Sequence, residues 1–177
     1  FTVVLTSCKK QEKEVVTNKE EIVNTLKEKE AILSVMQAYK DAIQNLTTDG
    51  TFELFTPEAT IFEQGKVEGT YKEYINHHLG PELGHFKSFT FSDYTINATV
   101  SLPYAYTTEK YVYTIVLKGD KAKGVKERTI KSKGVATSVL QKIDGNWKII
   151  HSHTSFKKLN PQKTRLLALK RGFVTGL

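Results

Sequence analysis

The hydrophobic period changes once along this chain, and that change restricts the folds open to it. Up to Leu79 the apolar residues recur at helical intervals. Ile32, Met36, Tyr39, Ile43 and Leu46 are spaced 4-3-4-3, with Ile22, Leu26, Leu33, Val35 and Ala42 on or beside the same stripe. After Gly80-Pro81 the period becomes two. Phe89 and Phe91 alternate with polar residues, and Tyr94, Ile96, Ala98 and Val100 continue in shifted phase, which predicts a bulge. Tyr111, Tyr113, Ile115 and Leu117 share one face of the next strand. A long strand over 129–143 and a last one over 147–155 meet at Asp144-Gly145, a strong hairpin signal.

The helical half has its own punctuation. Asn18 with Glu20 and Glu21 predicts a helix start, and Asp49-Gly50 its end. A short second helix is expected over 51–55 and a short strand over 59–64, closed by Gly65 and Gly69. Thr70 and Glu73 form a capping box that opens a third helix, Tyr71 to Leu79, stopped by Gly80-Pro81. Three helices with one small strand among them, then a run of long antiparallel strands, define an α+β fold.

A chain of 177 residues, 39% hydrophobic and 25% charged, buries enough surface to fold as one domain without a metal or disulfide. The lone Cys8 excludes an internal disulfide framework and a multi-cysteine zinc site. The net charge of +7 is unevenly spread. Acidic and basic residues balance through Asp144, and the excess lies wholly beyond that residue, mostly from Lys157 onward. A nucleic-acid footprint is a basic face of the folded domain, so no nucleic-acid partner is expected.

The opening Leu5-Thr6-Ser7-Cys8 resembles the lipobox of bacterial lipoproteins, in which the cysteine is acylated after signal cleavage. On that resemblance, residues 1–8 are the end of a lipoprotein signal and Cys8 the lipidation site. Residues 9–28, rich in Lys and Glu, form a charged tether and helix start. The expected location is the bacterial cell envelope, with the domain facing the periplasm or the exterior. Contact with the membrane would be through the anchor only. Residues 29–158 make the domain, and 159–177 a basic C-terminal tail.

Three segments carry a second resemblance: Tyr39-Lys40-Asp41-Ala42, the Leu54-Phe55-Thr56-Pro57-Glu58-Ala59 turn into a strand, and Gly145-Asn146-Trp147-Lys148-Ile149. Together they resemble the SnoaL-like branch of the nuclear transport factor 2-like superfamily. The stretches 68–71 and 77–83 resemble those of bacterial lipoproteins in this branch. The resemblance implies a cone, also called a cystatin-like roll, in which a curved antiparallel sheet wraps a long N-terminal helix and leaves a pocket at its open end. It also implies a homodimer. The superfamily holds isomerases, dehydratases, cyclases and binding modules, so fold alone does not give activity.

The five histidines lie in two places: His77, His78 and His85 in or after the third helix, His151 and His153 on the last strand. Residues two apart on a strand share a face, which groups His151 and His153 with Trp147 and Ile149, toward the cone interior. A two-residue turn puts Ser138 and Ala136 opposite them, and a three-residue loop Val139 and Thr137. Helix three lines the pocket mouth in the superfamily, which brings His77 or His78 toward the strand pair.

Three chemistries are open to these residues. His77, His78, His151 and His153, with Glu63, are candidate ligands for zinc or copper. Alternatively His151 or His153 is a general base oriented by Asp41, with Tyr39 donating to an oxyanion, as the resemblance to dehydratases and isomerases implies. Asp41 sits off the centre of the apolar stripe, so the solvent side of the helix is also open to it. The third is plain: the histidines are hydrogen-bonded in a small-molecule pocket lined by Tyr111, Tyr113, Trp147 and the inward-facing carboxylate Glu109. The expected function is therefore an extracytoplasmic, lipid-anchored domain binding a small molecule or metal ion in its cone, with a lyase or isomerase as the alternative.

Overall fold

No glycine or proline occurs from Ser7 to Asp49, and nothing in that stretch breaks a helix. Helix α1 accordingly runs over Ser7–Gln44, starting well before Asn18. The structure is a computed structural model that describes residues 7–159, with side chains from Ile22 onward. Residues 1–6, the Cys8 side chain and residues 160–177, on which the expected lipoprotein signal, lipidation site and C-terminal tail fall, lie outside it.

The helix stops earlier than Asp49-Gly50. Thr47 N–H bonds to the Ala42 carbonyl and Leu46 N–H to that of Ile43, with Leu46 at φ 56°. This is a Schellman cap closed by leucine where glycine is usual. The expected stripe divides in two. Ile32, Met36 and Ile43 are buried in the core, whereas Ile22 and Leu26 are 54% and 55% exposed, because α1 runs on past the sheet.

Instead of a second helix, a single 3-10 turn, Phe52–Leu54, leads into strand β1 (Phe55–Glu63). A strand that the sequence hid comes next. Gln64 and Gly65, both at positive φ, turn the chain into β2 (Lys66–Thr70). The capping box at Thr70 and Glu73 forms as expected and opens α2 (Tyr71–Tyr74). Gly80-Pro81 does not end the helical segment. The coil widens into a π turn, Ile75–Leu79, and Pro81 sits in the first turn of α3 (Gly80–His85), where its missing N–H costs nothing.

Four long strands complete the described residues: β3 (Phe86–Ser101), β4 (Tyr104–Leu117), β5 (Arg128–Ile143) and β6 (Asn146–Lys158). They form one curved, six-stranded sheet in the order β2-β1-β6-β5-β4-β3, antiparallel except between β1 and β6. The architecture is the α+β roll expected from the period change. One face of the sheet packs on the helices around Leu140, Ile149, Tyr71 and Ile32, all essentially inaccessible. Each such aliphatic side chain contributes about 1.5–3 kcal/mol by leaving water.

Two bulges decide which residues look inward. The one expected in β3 lies between Ser92 and Thr95, with Asp93 at φ 51°. The other was not expected. Leu140 stands opposite Ile149, but Val139 stands opposite His151, so Ile150 is an extra residue in β6. One added residue reverses the side-chain alternation of everything after it.

Candidate functional site

The Ile150 bulge overturns the expected placement of two histidines. Trp147 and Ile149 point into the core, whereas Ser152, its hydroxyl 3.2 Å from that of the buried Ser138, takes the inward position beyond the bulge. His151 and His153 therefore face outward, on the side of the sheet away from α1. Their cross-strand partners are Val139 and Thr137. That is the pairing a three-residue loop would give, yet the Asp144-Gly145 turn has two residues, since Ile143 pairs with Asn146. On the outer face His151 Nδ1 lies 2.7 Å from Thr60 Oγ1, and the Phe62 ring lies edge-on to both imidazoles at 5.0 and 6.3 Å.

The other candidate ligands are engaged elsewhere. Glu63 accepts a hydrogen bond from the Tyr74 hydroxyl at 2.8 Å. His77 is exposed. His78 sits in the π turn with Nδ1 3.1 Å from Glu68 and Nε2 3.5 Å from Glu82, joining β2 to α3. Glu68 keeps its second carboxylate oxygen buried and without a partner among the described residues. Burial holds Glu82 above the usual carboxylate range, with the nearby His78 opposing. Among the described residues no group of three or more His, Cys, Asp or Glu is arranged to hold a metal ion. The expected zinc or copper set does not converge here.

Nor does the expected acid–base set. Tyr39 points into the core, edge-on to Phe55 at 5.1 Å and to Tyr71 at 6.1 Å. Asp41 lies on the other side of α1, about half exposed, where the Gln37 amide donates to both its carboxylate oxygens at 2.7 and 2.8 Å. It borders a groove of about 610 Å³ between α1 and β3, with Leu33, Ile96 and Tyr94. His151, on the outer face, is separated from both by the sheet.

What the fold does assemble is an inner cluster of carboxyls and phenols. Glu109 projects inward from β4 and is buried. The β3 bulge aims Tyr94 at it, and the Tyr94 hydroxyl donates to the carboxylate at 2.6 Å. Tyr111, two residues along from Glu109, lies roughly parallel to Tyr94 at 6.3 Å and edge-on to Phe91 at 5.2 Å. Gly134 stands opposite Tyr111, and a methyl group there would fall 2.2 Å from its ring. Tyr113 continues the wall against Phe89 and Phe156.

The electrostatics are set by burial. Desolvation pushes the Glu109 carboxyl up, and the Tyr94 hydrogen bond only partly offsets it. Desolvation likewise raises Tyr39 well above the ordinary phenol range, reinforced by Tyr71, Glu63, Tyr111 and Glu109. Tyr74 is raised for the same first reason, and Tyr71 is pushed up to about 12. These phenols stay protonated throughout the ordinary pH range; Tyr74 donates to Glu63 as Tyr94 does to Glu109, whereas the Tyr71 hydroxyl is buried without a hydrogen-bond partner among the described residues.

Trp147, expected in the pocket wall, serves another purpose. Its indole N–H donates to Glu28 Oε2 at 2.8 Å, and Lys142 Nζ lies 2.5 Å from Glu28 Oε1. The two bonds hold Glu28 below the usual carboxylate range, Lys142 contributing most, and pin α1 to the β5–β6 hairpin. Sequence reasoning missed Glu28, Tyr94 and Tyr74. The phase shift before Tyr94 was the available signal for that residue, and the i,i+4 spacing of His78 and Glu82 was the signal for the histidine clamp.

A curved sheet folded over one long helix, with ionisable groups gathered on its inner face, defines the class of small α+β rolls that enclose a site between helix and sheet. The sequence matches the SnoaL-like domain model over residues 32–157, and the chain belongs to that family. Among curated proteins no match was found. Solved structures similar to this chain include a proposed ketosteroid isomerase from Shewanella frigidimarina, 27% identical over 69% of this chain and 92% of that one, TM-score 0.56. A proposed dehydratase of the NTF2-like family from Streptomyces avermitilis is 16% identical over 71% and 93%, TM-score 0.59. A protein with a cystatin-like fold from Caulobacter vibrioides is 19% identical over 80% of this chain and 96% of that one, TM-score 0.56.

Proposed function

We propose that this domain binds a small, largely apolar molecule against the inner face of its sheet, with the Glu109–Tyr94 pair as polar anchor. One observation carries the reading: a buried carboxyl, raised by desolvation and held by a single phenol, among Tyr111, Phe91 and Tyr39. Aromatic walls with a few convergent polar groups are what small-molecule sites are made of. Burial favours the protonated form of Glu109, the form that can donate to a ligand carbonyl, while its ionised form accepts from a hydroxyl. Titration with 2-naphthol, a planar aromatic phenol, followed by its fluorescence, tests this. Binding that weakens at least about tenfold in both Glu109→Gln and Tyr94→Phe supports the proposal. Equal binding by wild type and both variants overturns it.

A second reading, lyase or isomerase chemistry, is favoured by the same raised carboxyl and by the names carried by the Shewanella and Streptomyces relatives. In that reading Glu109 transfers the proton and Tyr39 stabilises the developing oxyanion, in place of a His/Asp pair.

We further propose that the domain works at the cell envelope, tethered through acylated Cys8. The support is the Leu-Thr-Ser-Cys motif followed by a charged segment. Incorporation of labelled palmitate into the precursor, abolished by Cys8→Ala, is the expected result. Absence of label in the wild type would sink the anchor.

A further inference from the structure

The inner face of the sheet holds carboxyl groups and supplies no counter-charge for them. Glu109 stands between Ile96 of β3 and Ala136 of β5, and Tyr111 stands beside Gly134, so the cross-strand positions around them are uncharged. Among the described residues neither Glu109 nor Glu63 enters an ion pair. A phenol hydrogen bond orients a carboxylate without balancing its charge, and a buried carboxylate left unbalanced is costly.

The rings beside Glu109 have a matching property. Tyr94 and Tyr111 lie 18° from parallel, with centroids 6.3 Å apart. Phe91 is turned 64° from Tyr94 at 6.1 Å and 82° from Tyr111 at 5.2 Å. Ring planes in two steeply inclined orientations, next to a carboxylate, form a corner of the kind that takes up ammonium ions. Tyr94 already meets one cation: Lys40 Nζ lies 5.2 Å from its ring centre and 3.5 Å from the Asp41 carboxylate. Tyr94 also borders the groove of about 610 Å³ between α1 and β3, so the corner adjoins open space through that ring.

We propose that the ligand of this site carries an alkylammonium group, docked at the corner of Tyr94, Tyr111 and Phe91 with Glu109 as its counter-ion. The assignment rests on the inner-face site proposed above and narrows what fills it. A methylated ammonium suits both parts of the corner. Its methyl groups pack on the rings as hydrocarbon does, while its charge is drawn to the ring faces and to the carboxylate. A neutral ligand of the same shape keeps the packing and loses both attractions. A primary ammonium would leave N–H donors unpaired against the rings, so a tertiary or quaternary nitrogen fits better. Glu109 is buried inside the roll, out of reach of a headgroup held in a bilayer surface, and the ion is therefore a free small molecule.

Calorimetric titration of the 177-residue chain with choline and with 3,3-dimethylbutan-1-ol, its uncharged carbon isostere, tests the assignment. Choline is expected to bind at least about tenfold more tightly than the isostere. Glu109→Gln should bring the two affinities together. Tyr111→Leu, which keeps an apolar side chain and removes the ring, should narrow the difference, each variant being checked for folding by circular dichroism. Choline no tighter than the isostere in the wild type, or a preference unchanged in Glu109→Gln, overturns the proposal. If 2-naphthol then still binds through Glu109 and Tyr94, the inner-face site stands and only the ammonium is lost; if 2-naphthol does not bind either, both fall. Pelleting of the protein with phosphatidylcholine vesicles, reversed by choline, would overturn the assignment to a free ion.

Discussion

The Tyr94 hydroxyl reaches the buried Glu109 carboxylate, 2.6 Å away, because the chain slips register just before it. Ser92 and Thr95 are paired to β4, whereas Asp93 and Tyr94 between them are not. The bulge swings the phenol inward from a strand whose regular alternation would have turned it to solvent.

That hydrogen bond does not fully offset the burial of Glu109, and a pH-dependent penalty remains. The folded-state value lies above the unfolded one, so the native state is favoured at low pH. It loses that advantage as pH rises from about 4.5 through the folded value. Glu109→Gln should therefore raise the melting temperature at neutral pH, with the gain vanishing near pH 4. Tyr94→Phe should do the opposite, since it removes the interaction that lowers Glu109. Thermal melts across pH decide both.

Glu28 has the opposite sign. Its folded-state value lies below 4.5, so its contribution is complete above the unfolded value and is lost as pH falls through the folded one. Glu28→Ala strands the Trp147 N–H and leaves Lys142 half-buried without its partner. The expected cost is about 2–3 kcal/mol in urea unfolding at pH 7.

Gly134→Ala tests the wall of the inner cluster. The added methyl would overlap the Tyr111 ring, which Phe91, Tyr94 and Tyr113 hold in place. A loss of about 1–3 kcal/mol is expected, with a changed near-ultraviolet dichroism spectrum from the displaced tyrosine.

Gly80→Ala addresses the π turn. Its Cβ would lie 2.5 Å from the Ile75 carbonyl oxygen, the same atom that accepts the Gly80 N–H. Backbone cannot move aside as a side chain can. The expected destabilisation is about 2 kcal/mol, measured by thermal unfolding, with the His78 bridge between Glu68 and Glu82 loosened.

The sequence made some of this legible and hid the rest for identifiable reasons. The Ile32–Ile43 part of the α1 stripe, the capping box at Thr70, the Ser92–Thr95 bulge and the Asp144-Gly145 turn each carry a local chemical signal, and each formed. The inward position of Glu109 followed from its parity with Tyr111 and Tyr113. The histidines failed on one residue. Ile150 is a good strand former, and nothing in its side chain announces that it is unpaired. β2 was missed because Gln-Gly is a weak turn signal, and its strand is short and mostly polar. Pairings such as Glu28 with Trp147, 119 positions apart, are set by tertiary packing and leave no local trace.

The place of β6 in the sheet has a consequence for how the protein is made. The last strand in sequence lies between β1 and β5, so the first hairpin and the β3–β5 meander share no strand-to-strand pairing until it arrives. During synthesis the pairings that join the two parts into one sheet therefore cannot form until β6 emerges, and any strand pairs formed earlier present an open edge. The keystone between the β1–β2 hairpin and the β3–β5 meander is thus the strand bearing Trp147, His151 and His153.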